Sequence, residues 1–439
     1  MHSSKPYFWG SVFLLFTFLG AYLASAIDRD FGRIEVSHVS FMTEEMQPMV
    51  AKLYRPVSAT TDTPKPGLLA LHGYQSDKEA TSTFGALELA KRGFVVLAID
   101  HFGHGYSTKL PASNKNMSGA NNGYQYLKTL PFVDNTRLGL FGHSTGALNA
   151  IRVAKLNPDH KAVNGLSSNG GEMTLNNYLL TQGLYEEIGG YRERTFPVKS
   201  LVHHPNRLKA FGLGENETLQ WDHTYGDFNT GSARRAAMVD GTHLGVMIAS
   251  QSNKEAILWF NQALQHGEKG ADWIDPDQQT YWYKELTGLF ALACALLATL
   301  CFASGLLKTT YFGVMNQAVT EKTAISSKQW WGFTLINIVL TLLLYPLFTQ
   351  WGGANEPIAA KLSFMPLEMG NGIILWLVVS GLVGSLLFGL WQRKAQFCWA
   401  EFGVLSQSAS LTTAQLIGRY LLLSLLLFAG LYFLVSLIY

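Results

Sequence analysis

Arg137-Leu-Gly-Leu-Phe-Gly-His-Ser-Thr-Gly146 decides the fold. Residues 137–141 form a short apolar run of the kind that makes a buried strand, and residues 147–156 have helical spacing. Between them stands Gly142-His143-Ser144-Thr145-Gly146, a G-x-S-x-G sequence at a strand-to-helix turn. The glycines have a steric purpose there. A sharp turn pushes the serine into strained backbone space, and neighbours without a Cβ let strand and helix approach. The helix N-terminus beside the serine favours developing negative charge. A bare G-x-S-x-G recurs by chance in many chains, but this context marks Ser144 as a nucleophile.

Working outward, the chain alternates strand and helix. Residues 33–41 and 49–57 alternate with period two and read as paired edge strands. Strands are expected at 67–72, 94–100, 162–167, 177–182 and 233–239, the last of the set. Helices are expected at 84–92, in a polar stretch ending near Leu130, and at 253–264. Such alternation implies a mainly parallel sheet covered on both sides. The strand at 67–72 runs into His72-Gly73-Tyr74, where backbone N–H groups can face an oxyanion. The candidate donors are the N–H groups of Tyr74 and Thr145, each worth on the order of 3 kcal/mol in acyl transfer. Asp100-His-Phe-Gly-His-Gly-Tyr-Ser107 follows the next strand.

These three motifs, in this order, resemble an α/β-hydrolase-fold serine hydrolase over about residues 33–267. The resemblance is to membrane-bound bacterial members with C-terminal transmembrane helices. It implies an α/β hydrolase fold, a mainly parallel sheet with helices on both faces, plus an α-helical transmembrane region. The sequence departs from the common pattern at Phe102, where an arginine is usual, which weakens any pairing inferred for that arginine. The five-span architecture is not implied by the fold.

The family order is nucleophile, acid, histidine. His243 lies in Met238-Val-Asp-Gly-Thr-His-Leu-Gly245, after the last strand and before the last helix, which is where the family carries its base. His72 and His143 are close to the site without being the base. For the acid, Gly183 plus three gives Glu186, with Asp222 and Asp227 as alternatives; Glu187 reads as a solvated neighbour. The acid would hold the imidazole Nδ1–H without taking the proton. Gly73, Gly142 and Gly146 are the loop and elbow glycines. No cysteine, metal ligand set or organic cofactor is called for, so metal and cofactor are both expected to be none. Residues 188–234 are too long for a simple connection. There Arg192, Arg194, Lys199, Arg207 and Lys209 mix with Tyr191, Phe196, Leu201, Leu208 and Phe211, as in a cap, a lipid-facing surface or a solvated excursion.

Composition sets this segment apart from the C-terminal third. The chain of 439 residues carries 33 Lys and Arg against 31 Asp and Glu, 15% charged, below the roughly 25% of soluble domains. Only 11 charges fall in the last 154 residues. The near-neutral balance, with no basic block, offers nothing to nucleic acid. All three cysteines, Cys294, Cys301 and Cys398, lie in the oily part, which excludes a disulfide framework from the globular segment. A bilayer core needs about 20 apolar residues as a helix. Five stretches qualify: 7–26, 286–307, 330–350, 369–391 and 420–439, with Trp330, Trp331, Trp351 and Trp391 at segment ends.

Lys308, Lys322 and Lys328 between spans two and three, with Arg393, Lys394 and Arg419 between four and five, outweigh Lys361 between three and four. The positive-inside rule then puts residues 30–270 outside the cell membrane, and Lys5 agrees. Ala24-Ser25-Ala26 has the form of a signal-peptidase site, so residues 1–29 are either an anchor or a signal peptide. The expected divisions are 1–29, 30–270 and 284–439. The expected activity is a membrane-anchored serine hydrolase cleaving an ester or related acyl bond of a small-molecule or lipid-like substrate. The alternatives are a serine peptidase, an acyltransferase, or a non-catalytic membrane-attached binding module. A transporter is disfavoured, because the spans lack intramembrane acids and bases.

Overall fold

The computed structural model describes residues 5–44, 46–74, 76–81, 85–108, 117–168, 174–188, 198–316, 326–349, 368–395 and 411–438. The chain divides into two compact units, Ile27–Trp282 with Pro366–Glu368, and Met1–Ala26 with Tyr283–Met365 and Met369–Tyr439.

The first unit is built on one nine-stranded sheet. Its strands are β1 (Ile34–Met42), β2 (Pro48–Pro56), β3 (Lys65–Leu71), β4 (Val95–Ile99), β5 (Val133–His143), β6 (Ala162–Leu166), β7 (Tyr178–Tyr185), β8 (Thr224–Tyr225) and β9 (Arg234–Thr242). They lie in the order β1-β2-β4-β3-β5-β6-β7-β9-β8. The pairs from β4 through β9 are parallel, whereas β1–β2, β2–β4 and β8–β9 are antiparallel. The strands expected from the sequence are present, and the one expected at 233–239 is the last in the chain, with one further strand at the sheet's edge. That further strand, the two-residue β8, is too short to leave a periodic signal.

Alternate side chains of the central strands feed two cores. On one face Leu69 and Leu71 of β3 pack with Leu138 and Leu140 of β5 under Tyr124, Leu127, Ala150 and Val153. Those last four come from the helices Ala120–Thr129 and Thr145–Leu156. On the other face Leu68 and Ala70 pack with Val96, Ala98 and Phe141 under Leu87, Leu89, Ile257 and Phe260. The helix Leu87–Ala90 is shorter than the 84–92 expected, and Phe84 lies outside the described residues. All five residues of β4 are buried, as a strand covered on both faces requires.

The unit runs to Trp282, beyond the expected boundary at 270, because the segment after Gly270 packs back on it. Buried Arg92 donates to the carbonyls of Ile274, Asp275 and Gln278 at 2.9, 2.7 and 3.0 Å. Glu88, fully buried, accepts from the N–H groups of Thr280 and Tyr281 at 2.6 and 3.0 Å and pairs with Arg92 at 2.8 Å. A carboxylate is favourable there, since Tyr281 begins a helix.

Five helices are long and apolar enough to cross a membrane: Lys5–Asp28, Tyr281–Leu306, Ser327–Thr349, Gly370–Arg393 and Thr413–Ile438. They match the five expected stretches. Lys322, Trp351, Lys361 and Cys398 lie outside the described residues. Within the second unit, the first helix packs closely on that of Tyr281–Leu306. A Cβ at Gly10 would lie 3.2 Å from the Phe302 ring, and one at Gly20 would lie 2.9 Å from the Ala291 Cβ. Phe16 and Phe290 meet edge to face at 6.0 Å. Positions 10 and 302, and 20 and 291, pair in opposite order, so the two helices run antiparallel. Small residues at the contact let the two backbones approach closely.

This close approach makes a prediction. Gly20→Leu should destabilise the detergent-solubilised protein by about 1–3 kcal/mol through overpacking. Gly430→Leu should be near neutral, because among the described residues nothing lies within 4 Å of a Cβ there. Thermal melts of the two variants check it; equal effects would contradict the pairing.

Candidate active site

Ser144 sits between β5 and the helix Thr145–Leu156 with φ 53° and ψ −114°. That backbone region costs a non-glycine residue on the order of 1–3 kcal/mol. Its surroundings impose the conformation. The Ser144 N–H donates to the Leu166 carbonyl at 2.9 Å, and its own carbonyl accepts from Leu148 at 3.1 Å to begin the helix. A Cβ on Gly142 would lie 2.5 Å from the Gly146 carbonyl carbon, and one on Gly146 would overlap the carbonyl oxygen of Leu71 at the end of β3. The helix can therefore press against β3 and β5 only with glycine at both positions. Thr145, an expected oxyanion donor, opens that helix.

The His72-Gly73-Tyr74 loop lies directly against the elbow. A Cβ on Gly73 would be 2.8 Å from His143 Nδ1. His72 is fully buried. Its Nε2 accepts from the His101 N–H at 3.0 Å, so its proton is on Nδ1, which donates to the Gly73 carbonyl at 2.7 Å. Burial, then the neighbouring His101 and His104, holds its pKa well below the ordinary value. Buried Asp100 gathers the segments that follow β3 and β4. It accepts from the Lys78 N–H at 2.8 Å, from Lys78 Nζ at 2.9 Å and from the Tyr106 N–H at 2.9 Å. Lys78 therefore supplies the cation beside Asp100, while Phe102, where the family more often carries arginine, packs into the core. Sequence reading missed this pair because the two residues meet only through the fold.

The loops after β7 and β9 meet at a second pair of glycines. A Cβ on Gly183 of β7 would overlap the Gly241 carbonyl. This contact lets Glu186, just past β7, reach His243, just past β9. Glu186 Oε1 accepts from His243 Nδ1 at 2.6 Å. Glu186 is 1% exposed and His243 5%. The same carboxylate accepts from Gln182 Nε2 and from the Ile188 N–H, both at 3.1 Å. The bond to Glu186 fixes the proton on Nδ1 and leaves the Nε2 lone pair of His243 free. The alternatives for the acid lie elsewhere. Asp222 binds the Met238 N–H at 3.2 Å and faces Arg235 at 3.8 Å, and Asp227 caps its own turn at the Asn229 N–H.

Two further residues hold His243 in place. Glu187 is exposed, as expected of a solvated acid, yet its Oε2 accepts from the His243 N–H at 2.9 Å. His143 is buried, and its Nε2–H donates to the His243 carbonyl at 2.7 Å, with the two rings 4.7 Å apart. Burial, then His243, pushes the His143 pKa down to about 4. Among the described residues Ser144 Oγ makes no hydrogen bond, and its residue is half-buried. Tyr185 and Leu244, the chain neighbours of Glu186 and His243, are exposed, as are Tyr74 and Ile188. Of the long connection at 188–234, Arg192, Arg194, Tyr191 and Phe196 lie outside the described residues. Leu201, Leu208 and Phe211 are buried, with Leu208 and Phe211 in the core on the Leu69 face, and so is Arg207. Those residues are parts of the domain rather than a solvated excursion. Among the described residues no group of three or more His, Cys, Asp or Glu side chains is placed to hold a metal ion.

A family model for serine aminopeptidases of the S33 type matches residues 62–208, which include Ser144 and Glu186 and stop short of His243. This chain has the α/β hydrolase fold. The match supports a hydrolase activity of that superfamily. No curated protein matches the chain. Among solved structures, it is similar to an esterase of Pyrococcus furiosus, at 16% identity and TM-score 0.39 over 54% of this chain and 93% of that one. It is also similar to a predicted CIB-like hydrolase of Thermoplasma acidophilum, at 14% identity and TM-score 0.35 over 51% and 95%. A hypothetical protein of Pseudomonas aeruginosa matches at 24% identity and TM-score 0.28 over 31% of this chain and 43% of its own. The chain thus spans less than half of that protein's length, as it does for an epoxide hydrolase of Vigna radiata, of which 38% is covered.

The site makes two predictions. Ser144→Gly should relieve the backbone strain and raise stability by about 1 kcal/mol, a shift of roughly 2–4 °C. Ser144→Ala should not, and differential scanning of both variants checks this. The second concerns acid. His101, like His143, is pushed down to about 4, chiefly by burial and then by His104. In the unfolded chain such histidines titrate near 6.5, so as pH falls from about 6.5 towards 4 the unfolded chain binds protons that the native one refuses. Stability from this source is present above pH 6.5 and is lost over that window, by up to about 1.4 kcal/mol per pH unit for each histidine. Denaturant melts between pH 7 and 4.5 should show the decline, and His101→Gln should make it shallower.

Proposed function

We propose that this protein is a membrane-anchored serine hydrolase that cleaves an ester or related acyl bond. The observation that carries the reading is the 2.6 Å bond from His243 Nδ1 to buried Glu186, together with a serine held at φ 53° on the strand-to-helix turn. Ser144 Oγ attacks the acyl carbonyl carbon while its proton passes to His243 Nε2, and the imidazolium formed is stabilised by Glu186 through Nδ1–H. The Ser144–His243 hydrogen bond closes when substrate binds, since such bonds are often long in unliganded sites. The Tyr74 and Thr145 N–H groups stabilise the tetrahedral oxyanion. His243 then returns the proton to the leaving oxygen, giving an acyl-enzyme, and water activated by the same imidazole releases the acid.

The apolar side chains of Tyr185, Ile188 and Leu244, exposed beside the acid and base, favour an acyl group with an apolar chain. The basic residues Lys308, Lys328, Arg393 and Arg419 favour cytoplasmic ends for the spans they adjoin, with the hydrolase unit on the extracytoplasmic side. The family match to serine aminopeptidases favours one second reading, cleavage of an amide bond by the same residues.

A fluorophosphonate probe should label the wild-type protein and fail on Ser144→Ala. Glu186→Ala should lower turnover of a p-nitrophenyl acyl ester by about 10³–10⁴-fold. Asp222→Ala and Asp227→Ala should stay within about twofold of wild type. Faster turnover of an aminoacyl amide than of the ester would favour the peptidase instead.

A further inference from the structure

A nucleophile and its base must keep a fixed separation, and an error of 1 Å costs on the order of 10²-fold in rate. Here the two residues stand on different loops, after β5 and after β9. Glu186 orients the His243 ring but is itself on the β7 loop, so it does not tie the base to the nucleophile. The geometry points to His143 as a positioning residue: by donating its Nε2–H to the main-chain carbonyl of His243, it fastens the base to the residue next to the nucleophile. This inference rests on the reading of Ser144 and His243 as nucleophile and base.

Three observations carry it. The bond is short, 2.7 Å, and both side chains are almost wholly removed from solvent, 3% exposed for His143 and 5% for His243. In such surroundings a hydrogen bond resists competition from water, and an unpaired donor would be costly. His143 is also immobile at its other end. It belongs to β5, its successor Ser144 is bonded to the Leu166 carbonyl, and Gly73 lies against its Nδ1 with no space for a Cβ. Among the described residues, finally, this is the one side-chain hydrogen bond that joins residues 142–146 to residues 240–245. The opposite side of the same residue's backbone is held by Glu187, at the His243 N–H. That carboxylate is exposed and stands on the acid loop, so it supports the base without measuring its distance to Ser144.

His143 therefore touches both the oxyanion loop and the base loop, and its ring is the spacer between them. The role asks for a donor at the reach of an imidazole Nε2. Glutamine supplies one at about that reach. Asparagine is too short, and leucine has none.

The test uses the full chain in detergent, with a p-nitrophenyl ester and a fluorophosphonate probe. His143→Leu and His143→Asn should lower kcat by about 10–100-fold with KM within about twofold. The rate of probe labelling at Ser144 should fall in parallel, and His143→Gln should recover most of both. Thermal melts on each variant establish that the folded protein is being compared, with the asparagine and glutamine variants serving if the leucine one does not fold. Wild-type turnover in His143→Asn would overturn the inference. So would equal losses in the asparagine and glutamine variants, which would make the ring a packing element, or a rise in KM at constant kcat. Failure of the wild-type protein to label at Ser144 is a separate outcome, since it overturns the hydrolase reading and this inference with it.

Discussion

The site depends on a lack of space at one glycine. Where the helix Thr145–Leu156 meets the end of β3, a Cβ on Gly146 would overlap the Leu71 carbonyl, and the turn can close only because none is there. That closure drives Ser144 to φ 53° and ψ −114° and raises its side chain at the C-terminal edge of a parallel sheet. The strain persists because the structure around it over-determines the backbone: a ladder bond to Leu166 on one side, a helix on the other, and two packed cores beneath. The same principle recurs on the other side of the cleft. Gly183 and Gly241 are in contact where β7 and β9 run together, and this puts an acid and an imidazole from different loops within one hydrogen bond.

Around that frame the polar groups form a closed set of supports. Asp100 joins the segments after β3 and β4 through Lys78 and Tyr106. Glu186 fixes the His243 ring, and Glu187 and His143 fix its main chain. The imidazoles of His72, His101 and His143 are kept neutral by burial and by neighbouring histidines, and they act as fixed donors and acceptors. The side chains of Asp100, Lys78, Glu186, His143 and His243 are buried and paired, which favours a single arrangement.

Much of this was legible in the sequence, for local reasons. The elbow announces itself through glycines at a strand-to-helix junction, and the five spans through uninterrupted apolar length. Glu186 is marked by its spacing to Gly183, and His243 by its place after the last long strand. What the sequence leaves hidden is carried by contacts between distant residues. Lys78 pairs with Asp100 from 22 positions away, with nothing in the local pattern to mark it. Glu187 looks like any exposed acid until its carboxylate is seen on the His243 N–H, and His143 looks like a bystander within its own motif. The segment 271–282 falls beyond the boundary expected at 270 because its anchors, Glu88 and Arg92, lie far upstream.

The central claim, that one strained serine and one late histidine act on a shared reaction centre, is met most directly by a crystal structure of the protein inactivated with an alkyl phosphonate. Phosphorus should be bonded to Ser144 Oγ, with its free oxygen within about 3 Å of the Tyr74 and Thr145 nitrogens. His243 Nε2 should lie within hydrogen-bond reach of the ester oxygen. Phosphorus on another side chain, or a His243 ring turned away from the adduct, would contradict it.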